Sequence, residues 1–329
     1  MLKAPASIPP ATAANETAAV SVVVPSFNHA AFVERTLRSI FRQTFPPLEL
    51  IVIDDGSRDD SPRIIERALR DCPFACHLLV RENRGLSATL NEGFARARGR
   101  YFAYLGSDDL WFPKFLGARV EVLEARPRAV LAYGNAYSID AEDRIINCTT
   151  DWARYRDGDA RQMLLETLAP LSPTVVYRRD ALEAHRWNEE ARLEDYELYL
   201  RLCAEGEFAF DPAILSAWRQ HGDNTSRNLE MMLCEKLAAQ RRAAATLNLS
   251  AKELEEFQTL AQFRSAQEFM RRGDKLNALK LAAGSWRGAR HAGETFKLLA
   301  GLLVPHRLLA RLQARRRERA AQRYGALEI

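Results

Sequence analysis

No run of about 18 consecutive apolar residues occurs in this 329-residue chain, so no stretch has the length a bilayer-spanning helix needs. The first nineteen residues are rich in Ala, Pro and Thr, with neither a basic start nor an apolar centre. A disordered tail, not a signal peptide, is expected there. The five cysteines are odd in number and irregularly spaced, which points to a reducing compartment and a cytoplasmic location. Cys72, Cys76 and His77 are close in sequence but lack the second ligand pair of a zinc site. The net charge of +4 is too mild to imply nucleic acid. No Gly-x-Gly-x-x-Gly follows the first apolar run and no Walker lysine loop is present, which argues against a dinucleotide-binding dehydrogenase and a P-loop enzyme.

What remains is an ordinary globular composition, 47% hydrophobic and 27% charged. Val20 to Val24 reads as a buried strand ending at Pro25, before Ser26-Phe-Asn-His29. A helix follows with Val33, Leu37, Ile40 and Phe41 on one face. Leu48 to Ile53 predicts the second strand, ending in Asp54-Asp-Gly-Ser57. Ser61 before Pro62 predicts a cap and first-turn pair for the next helix. His77 to Val80, then Glu82-Asn-Arg-Gly85 and a helix through Leu86, Leu90, Phe94 and Ala97, lead to Tyr101–Leu105. Strand and helix thus alternate four times in about ninety residues, the pattern of a mainly parallel sheet wound with helices. Ligands of such sheets bind beyond the carboxyl ends of the strands. Those ends here carry Ser26 and Asn28, Asp54 and Asp55, Asn83 and Gly85, and Asp108 and Asp109.

The pair Asp108–Asp109 has two readings, a solvated turn with a helix cap or a holder of Mg²⁺ or Mn²⁺ whose shell is completed by substrate phosphates. Further on, Val130–Tyr133 and Thr174–Tyr177 predict strands, Arg144–Cys148 a hairpin arm and Met163–Leu168 a short helix. In Leu193-Glu-Asp-Tyr-Glu-Leu, the apolar face of a helix sets Glu194 and Asp195 in its first turn. There they either complement the helix dipole or present a base to the cleft. Ile214–Arg219 predicts a last strand, leading to Gln220-His221.

In combination, Val-Pro-Ser-Phe-Asn (24–28), Ile-Asp-Asp-Gly-Ser (53–57), Asn-Arg-Gly-Leu-Ser-Ala-Thr-Leu-Asn-Glu-Gly (83–93), Leu-Gly-Ser-Asp-Asp-Leu-Trp-Phe-Pro (105–113), Glu-Asp-Tyr-Glu-Leu (194–198) and Trp-Arg-Gln-His (218–221) resemble the inverting family-2 glycosyltransferases of bacterial polysaccharide and lipopolysaccharide biosynthesis. The likeness runs over roughly residues 20 to 228. It implies a GT-A fold, an α/β domain with a Rossmann-like sheet, over 20–228, with a helical region over 229–329. It implies a hexosyl- or N-acetylhexosaminyl-transferase that uses Mg²⁺ or Mn²⁺ and a nucleotide-sugar donor, a UDP-sugar by default, with a glycan or lipid-linked acceptor. By the resemblance, Pro25, Phe27 and Asn28 line the base, Asp55 accepts a hydrogen bond from it, and Asp54 is a structural or ribose-side acid. Asn83 and Gly85 lie over the nucleotide, Asp108 and His221 hold the metal, Arg219 contacts the diphosphate, and Asp195 is the base with Glu194 as its rival. Where the family often has Asp, this chain has Gly106, leaving Ser107 or Asp109 to reach the ribose. A nucleotidyltransferase would instead want a glycine-rich basic loop after the first strand, and a non-catalytic nucleotide-sugar scaffold would bind donor without turnover.

From Leu229 the pattern is helical, with a capping box at Ser250 and Glu253 and a hairpin turn at Arg272-Gly-Asp274. Near the end, Leu308, Leu309 and Leu312 interleave with Arg307, Arg311, Arg315, Arg316, Arg317 and Arg319. Two outcomes fit, a solvated helix packing its leucines on the domain, or a basic amphipathic segment on the anionic inner face of a membrane.

Overall fold

The computed structural model describes residues 19–222, 224–325 and 327. The tail expected over 1–19 lies outside them except for Ala19, which is buried and whose carbonyl accepts the Tyr101 amide.

The sheet is organised around β1 (Val20–Ser26), which pairs in parallel with β2 (Glu49–Asp54) on one side and β4 (Tyr101–Tyr104) on the other; β3 (Cys76–Val80) extends it beyond β2. Its unbroken β-branched run follows from burial on both faces. Val20, Val22 and Val24 pack with Leu37 and Ile40 of α1 (Val33–Phe41) and Ile65 of α2 (Ser61–Leu69). Val23 faces the other way, onto Leu90 and Phe94 of α3 (Leu86–Arg96). Ser61 is not the cap expected of it. It is the first residue of α2, and its hydroxyl accepts the His29 amide at 3.0 Å, tying the loop after β1 to that helix.

Past β4 the sheet changes character. The full strand order is β3-β2-β1-β4-β8-β6-β9-β5, with β7 paired to β6. β8 (Val176–Arg178) runs antiparallel to β4 and to β6 (Ala129–Ile139), and β9 (Glu207–Arg219) is parallel to β6. β5 (Leu110–Trp111) and β7 (Ile145–Cys148) pair antiparallel with β9 and β6. Parallel order is therefore confined to the first four strands and the β6–β9 pair. Elsewhere hairpins and short helices replace the long crossovers that parallel pairing requires. Three of those helices are α4 (Phe115–Glu124), α5 (Arg161–Leu165) and α6 (Arg179–Ala184); α7 (Glu194–Glu205) carries the acidic pair.

The helical region continues with α8 (Leu229–Ala243), α9 (Ala251–Arg271), α10 (Lys275–Ser285), α11 (Ala292–Leu303) and α12 (His306–Tyr324). The capping box at Ser250 and Glu253 forms in both directions. Ala239, Ala243 and Leu247 join the apolar cluster that holds Tyr196 and Tyr199. Gln240, wholly buried, donates to the Leu165 carbonyl and the Tyr196 hydroxyl. α8 is thus packed into the same core as the sheet, while Phe263, Phe269, Met270, Ala278 and Leu298 make a smaller core of their own. At its far end α12 returns to the sheet, where the Tyr324 ring lies 5.3 Å from Tyr137 and Arg323 pairs with Asp151 at 2.9 Å.

Candidate active site

A cavity of about 1490 Å³ opens at the carboxyl ends of β1, β2 and β4 and extends to the first turn of α7 and to α8 and α9. A drug-sized ligand fills roughly 300–1,000 Å³, so there is room for two substrates. A smaller hollow of about 560 Å³, between Arg128, Asp180, His185 and Glu205, holds none of the strand-end groups.

The rim begins at β1. Phe27 is 44% exposed and lines the cavity beside Pro25 and Asn28. Asn28 has φ of 55°, in the left-handed region that Asn tolerates. Its side-chain oxygen accepts the Arg58 amide at 2.8 Å, which pins the loop after β1 to the loop after β2. Asp54 does not line the cavity. It is fully buried and accepts from the Ser57 amide at 2.8 Å, the Ser57 hydroxyl at 2.7 Å and the Ser26 hydroxyl at 3.1 Å. Of the two roles expected for Asp54, the structural one is what this geometry fits.

Asp55 lines the cavity but is already engaged. Its carboxylate accepts the Arg84 and Gly85 amides at 3.0 and 2.8 Å and pairs with Arg81 at 2.7 Å. Asn83 donates back to the Asp55 carbonyl at 2.8 Å. The acid therefore fastens the 83–85 loop over the cavity mouth. Gly56 makes this closure feasible, since its φ is +81° and a Cβ there would sit 2.8 Å from the Asn83 nitrogen.

At the end of β4, Ser107, Asp108 and Asp109 face the cavity, together with His29 and His221. Asp108 Oδ2 is 2.9 Å from His221 Nε2, and Asp108 Oδ1 is 3.9 Å from His29 Nδ1, which also meets the Ser107 hydroxyl at 2.8 Å. One ligand atom from each of His29, Asp108 and His221 can be chosen so that all lie within 4.8 Å of one another. One carboxylate and two imidazoles converging so closely suit a divalent cation. Ser107, buried and engaged with His29, is held as a support for that cluster. Asp109 is more buried than Asp108, and burial together with repulsion from Asp108 pushes its carboxyl well above the usual range. A side chain at Gly106 would place its Cβ 2.9 Å from Asp108 Oδ1, so the acid often found there would compete for the space Asp108 occupies.

Arg219 departs from expectation. It does not line the cavity; its guanidinium is 1% exposed and turned inward. It donates to the carbonyls of Asp108 at 2.7 Å and Asp140 at 2.9 Å and pairs with Asp143 at 2.5 Å. Its amide donates to Asp109 Oδ1 at 2.8 Å. This residue braces the acidic turn from beneath, and a diphosphate above could not reach the guanidinium without breaking the Asp143 pair.

Glu194 and Asp195 line the cavity from α7, half-buried. Neither they nor Leu193 makes a side-chain cap of that helix; Asp195 instead accepts its neighbour's Tyr196 amide at 2.6 Å. Burial raises both carboxyls, Asp195 to about 6, and repulsion from Asp195 adds to burial in pushing Glu194 to about 8. Beside them the Tyr104 hydroxyl is buried, with Ser172 as its polar neighbour.

His29 was not singled out from the sequence. The available signal was that two of only six histidines follow strand ends, His29 after β1 and His221 after β9. The lining supplied by Lys236 and Arg264, from α8 and α9, carried no motif.

This architecture can be set beside known proteins. The family described as "Glycosyl transferase family 2" matches residues 21–186, half of the chain. The chain belongs to glycosyltransferase family 2. The matched region includes Asp108 and ends before Glu194, so the α7 acids and His221 lie beyond it. An uncharacterised glycosyltransferase of a Nostoc species is 29% identical over 168 residues, 50% of this family-2 chain and 52% of the relative. The chondroitin synthase of Escherichia coli is 26% identical over 63% of this chain and 30% of its own length. The EpsH putative glycosyltransferase of Bacillus subtilis is 30% identical over 52% and 50%. The chain thus spans between about a third and a half of the length of these three relatives. In fold it is similar to S. aureus TarS 1-349 in complex with UDP-GlcNAc, with a TM-score of 0.60 at 15% identity over 94% and 93% of the two chains. It is also similar to the mannosyltransferase PcManGT of Pyrobaculum calidifontis, bound to GDP-Man and Mn²⁺, with a TM-score of 0.59 at 17% identity over 92% and 86%. The fold is therefore GT-A-like.

Proposed function

We propose that this family-2 chain is an inverting, metal-dependent glycosyltransferase that moves a sugar from a nucleotide-diphosphate donor to a hydroxyl of a glycan or lipid-linked acceptor. The observation that carries this is one cavity joining the His29–Asp108–His221 cluster to the Glu194–Asp195 pair. The donor lies along the strand ends, under the 83–85 loop, with Pro25, Phe27 and Asn28 toward the base. Ser107, bonded to His29, and Asp109, bonded to the Arg219 amide, support the cluster from the cavity wall. Asp195 takes the proton of the acceptor hydroxyl as its oxygen bonds to the anomeric carbon, while the bond from that carbon to the diphosphate breaks on the opposite face. The configuration inverts, and the nucleoside diphosphate leaves. His29, Asp108 and His221 would hold the divalent ion, which when bound supplies Lewis-acid stabilisation of the departing diphosphate. Two imidazole nitrogens favour Mn²⁺ over Mg²⁺, a hard ion that prefers oxygen ligands. TarS bound to UDP-GlcNAc and PcManGT bound to GDP-Man support uridine and guanosine diphosphate sugars as the donors to try, UDP-sugars first.

Thermal stabilisation by a panel of UDP- and GDP-sugars, with and without Mn²⁺, tests this reading. Metal-dependent stabilisation with slow release of nucleoside diphosphate is expected. Binding without turnover with any acceptor would favour a scaffold, and release of pyrophosphate from a nucleoside triphosphate plus sugar phosphate would favour a nucleotidyltransferase.

A peripheral membrane contact through the C-terminal helices belongs to the same proposal. Among the described residues no helix is long and apolar enough to cross a membrane. Leu303, at the end of α11, is 86% exposed, and Leu308 and Leu312, each 46% exposed, stand among the arginines of α12, a mixture of apolar and basic groups that suits an anionic interface.

A further inference from the structure

The far wall of the cavity, opposite the strand ends, is built by the segment after β7, by Glu166 at the end of α5, and by α8, α9 and Arg290. Its charges do not balance. Glu166 serves both Arg264 and Arg290, and Glu268 serves both Arg271 and Arg272. Among the described residues the Arg156 guanidinium hydrogen-bonds only the Gln162 side chain, at 3.0 Å, and the Arg154 guanidinium only the Ala153 carbonyl, at 3.5 Å. Lys236 enters no salt bridge there. Burial lowers its pKa, Arg264 lowers it further, and Glu268 and Asp195 oppose the shift through space. Seven cations on this wall share Glu166 and Glu268, with Asp195 facing Lys236 and Glu294 beside Arg264. Positive charge therefore stays in excess inside a concavity whose low-dielectric sides strengthen the repulsion.

The donor's diphosphate does not account for this excess. On the proposed reading it sits at the strand ends with Asp108, whereas Lys236 lies within electrostatic reach of Asp195, the group facing the acceptor hydroxyl. We infer that the acceptor is anionic, presenting a phosphate or carboxylate to Lys236, Arg154 and Arg156 close to the hydroxyl that attacks. This rests on the glycosyl-transfer reading and narrows its acceptor class. Arg264 and Arg290, each sharing Glu166, are placed to extend the same field along an acceptor with repeated charges. Arginine suits a planar or tetrahedral oxyanion because it donates two parallel hydrogen bonds.

The test uses the full-length protein saturated with whichever of UDP or GDP stabilises it, so that the diphosphate site is filled. Glycerol 3-phosphate and glucuronate are titrated calorimetrically at low salt, with glycerol and glucose as neutral controls. At least one anion should bind and neither neutral probe should; which anion binds tells phosphate from carboxylate. Lys236→Met should raise the anion Kd at least tenfold, and Arg154→Gln, at an exposed position that folding tolerates, at least threefold. Nucleotide affinity should change less than twofold in both. No anion binding by the wild type, or equal binding by wild type and Arg154→Gln, overturns the inference. If neither nucleotide binds, the glycosyl-transfer reading fails separately, and the same titrations on nucleotide-free protein still decide whether the wall is an anion site.

Discussion

The His221 imidazole stands 2.9 Å from the Asp108 carboxylate and joins the end of β9 to the end of β4 across a sequence separation of 113 residues. His29, from the end of β1, completes the cluster. Three strand ends therefore contribute one ligand-bearing side chain each, and the site depends on the sheet being assembled.

Metal binding is the first consequence. Asp108→Ala should abolish Mn²⁺-dependent binding of nucleotide and all turnover. His29→Ala should weaken Mn²⁺ by about tenfold or more, on the scale of losses seen when a metal's surroundings are altered. Calorimetry with Mn²⁺ and nucleoside diphosphate reads both effects. Full activity in excess chelator would contradict the assignment.

The pH dependence follows from α7. A base must be deprotonated to act, so transfer should fall as pH drops through about 6, where Asp195 takes up its proton. Stability should show the opposite slope. Because both carboxyls titrate higher in the fold than in the unfolded chain, the native state holds more protons between the ordinary carboxylate range and about pH 8. Stability should therefore decrease as pH rises through that window. Glu194→Gln should flatten this slope, as measured by urea unfolding at pH 5, 6, 7 and 8. A wild-type stability independent of pH across that range would contradict the shifts.

Arg219 is expected to act on stability first. Arg219→Met leaves Asp143 with Arg35 as its remaining cation and frees the carbonyls of Asp108 and Asp140. Losing hydrogen bonds from a charged donor of this kind costs about 1.5–3 kcal/mol. The unfolding temperature should drop by roughly 3–12 °C, taking 2–4 °C per kcal/mol for a domain of about this size. An unchanged unfolding temperature with weakened nucleotide binding would instead restore Arg219 to direct contact with the diphosphate.

For α12, full-length protein should cosediment with vesicles containing anionic lipid at low salt, and a chain truncated after Val304 should not. Salt should weaken the association, since charge and the exposed leucines act together. Full-length protein that ignores such vesicles would remove the membrane contact from the proposal.

Much of the fold was legible in the sequence where both periodicity and punctuation were strong. The valine run of β1, the helix over 33–41 and the acids ending β2 and β4 could be read because local pattern and burial agree there. The mixed-direction half of the sheet could not, since strand direction past β4 is set by pairings such as Tyr101 with Arg178 and Leu131 with Tyr177, far apart in sequence. The inward turn of Arg219 depends on Asp143, which sits in a hairpin turn that carried no signal. The same is true of the cavity's far wall. Arg264 and Lys236 look like ordinary residues of solvated helices until α8 packs on Tyr196 and brings them over the site.

The central claim is that one cavity binds a nucleotide-sugar and aligns an acceptor hydroxyl with Asp195. Comparing wild type with Asp195→Asn tests it most directly, by measuring donor affinity and transfer rate on the same preparations at pH 7.5. The substitution preserves size and hydrogen bonding but removes basicity. The account predicts donor affinity within about twofold and transfer reduced by roughly 10²–10⁴, the usual contribution of a positioned base. Glu194→Gln, measured alongside, should lose less. Near-normal transfer by Asp195→Asn with donor binding intact would contradict it.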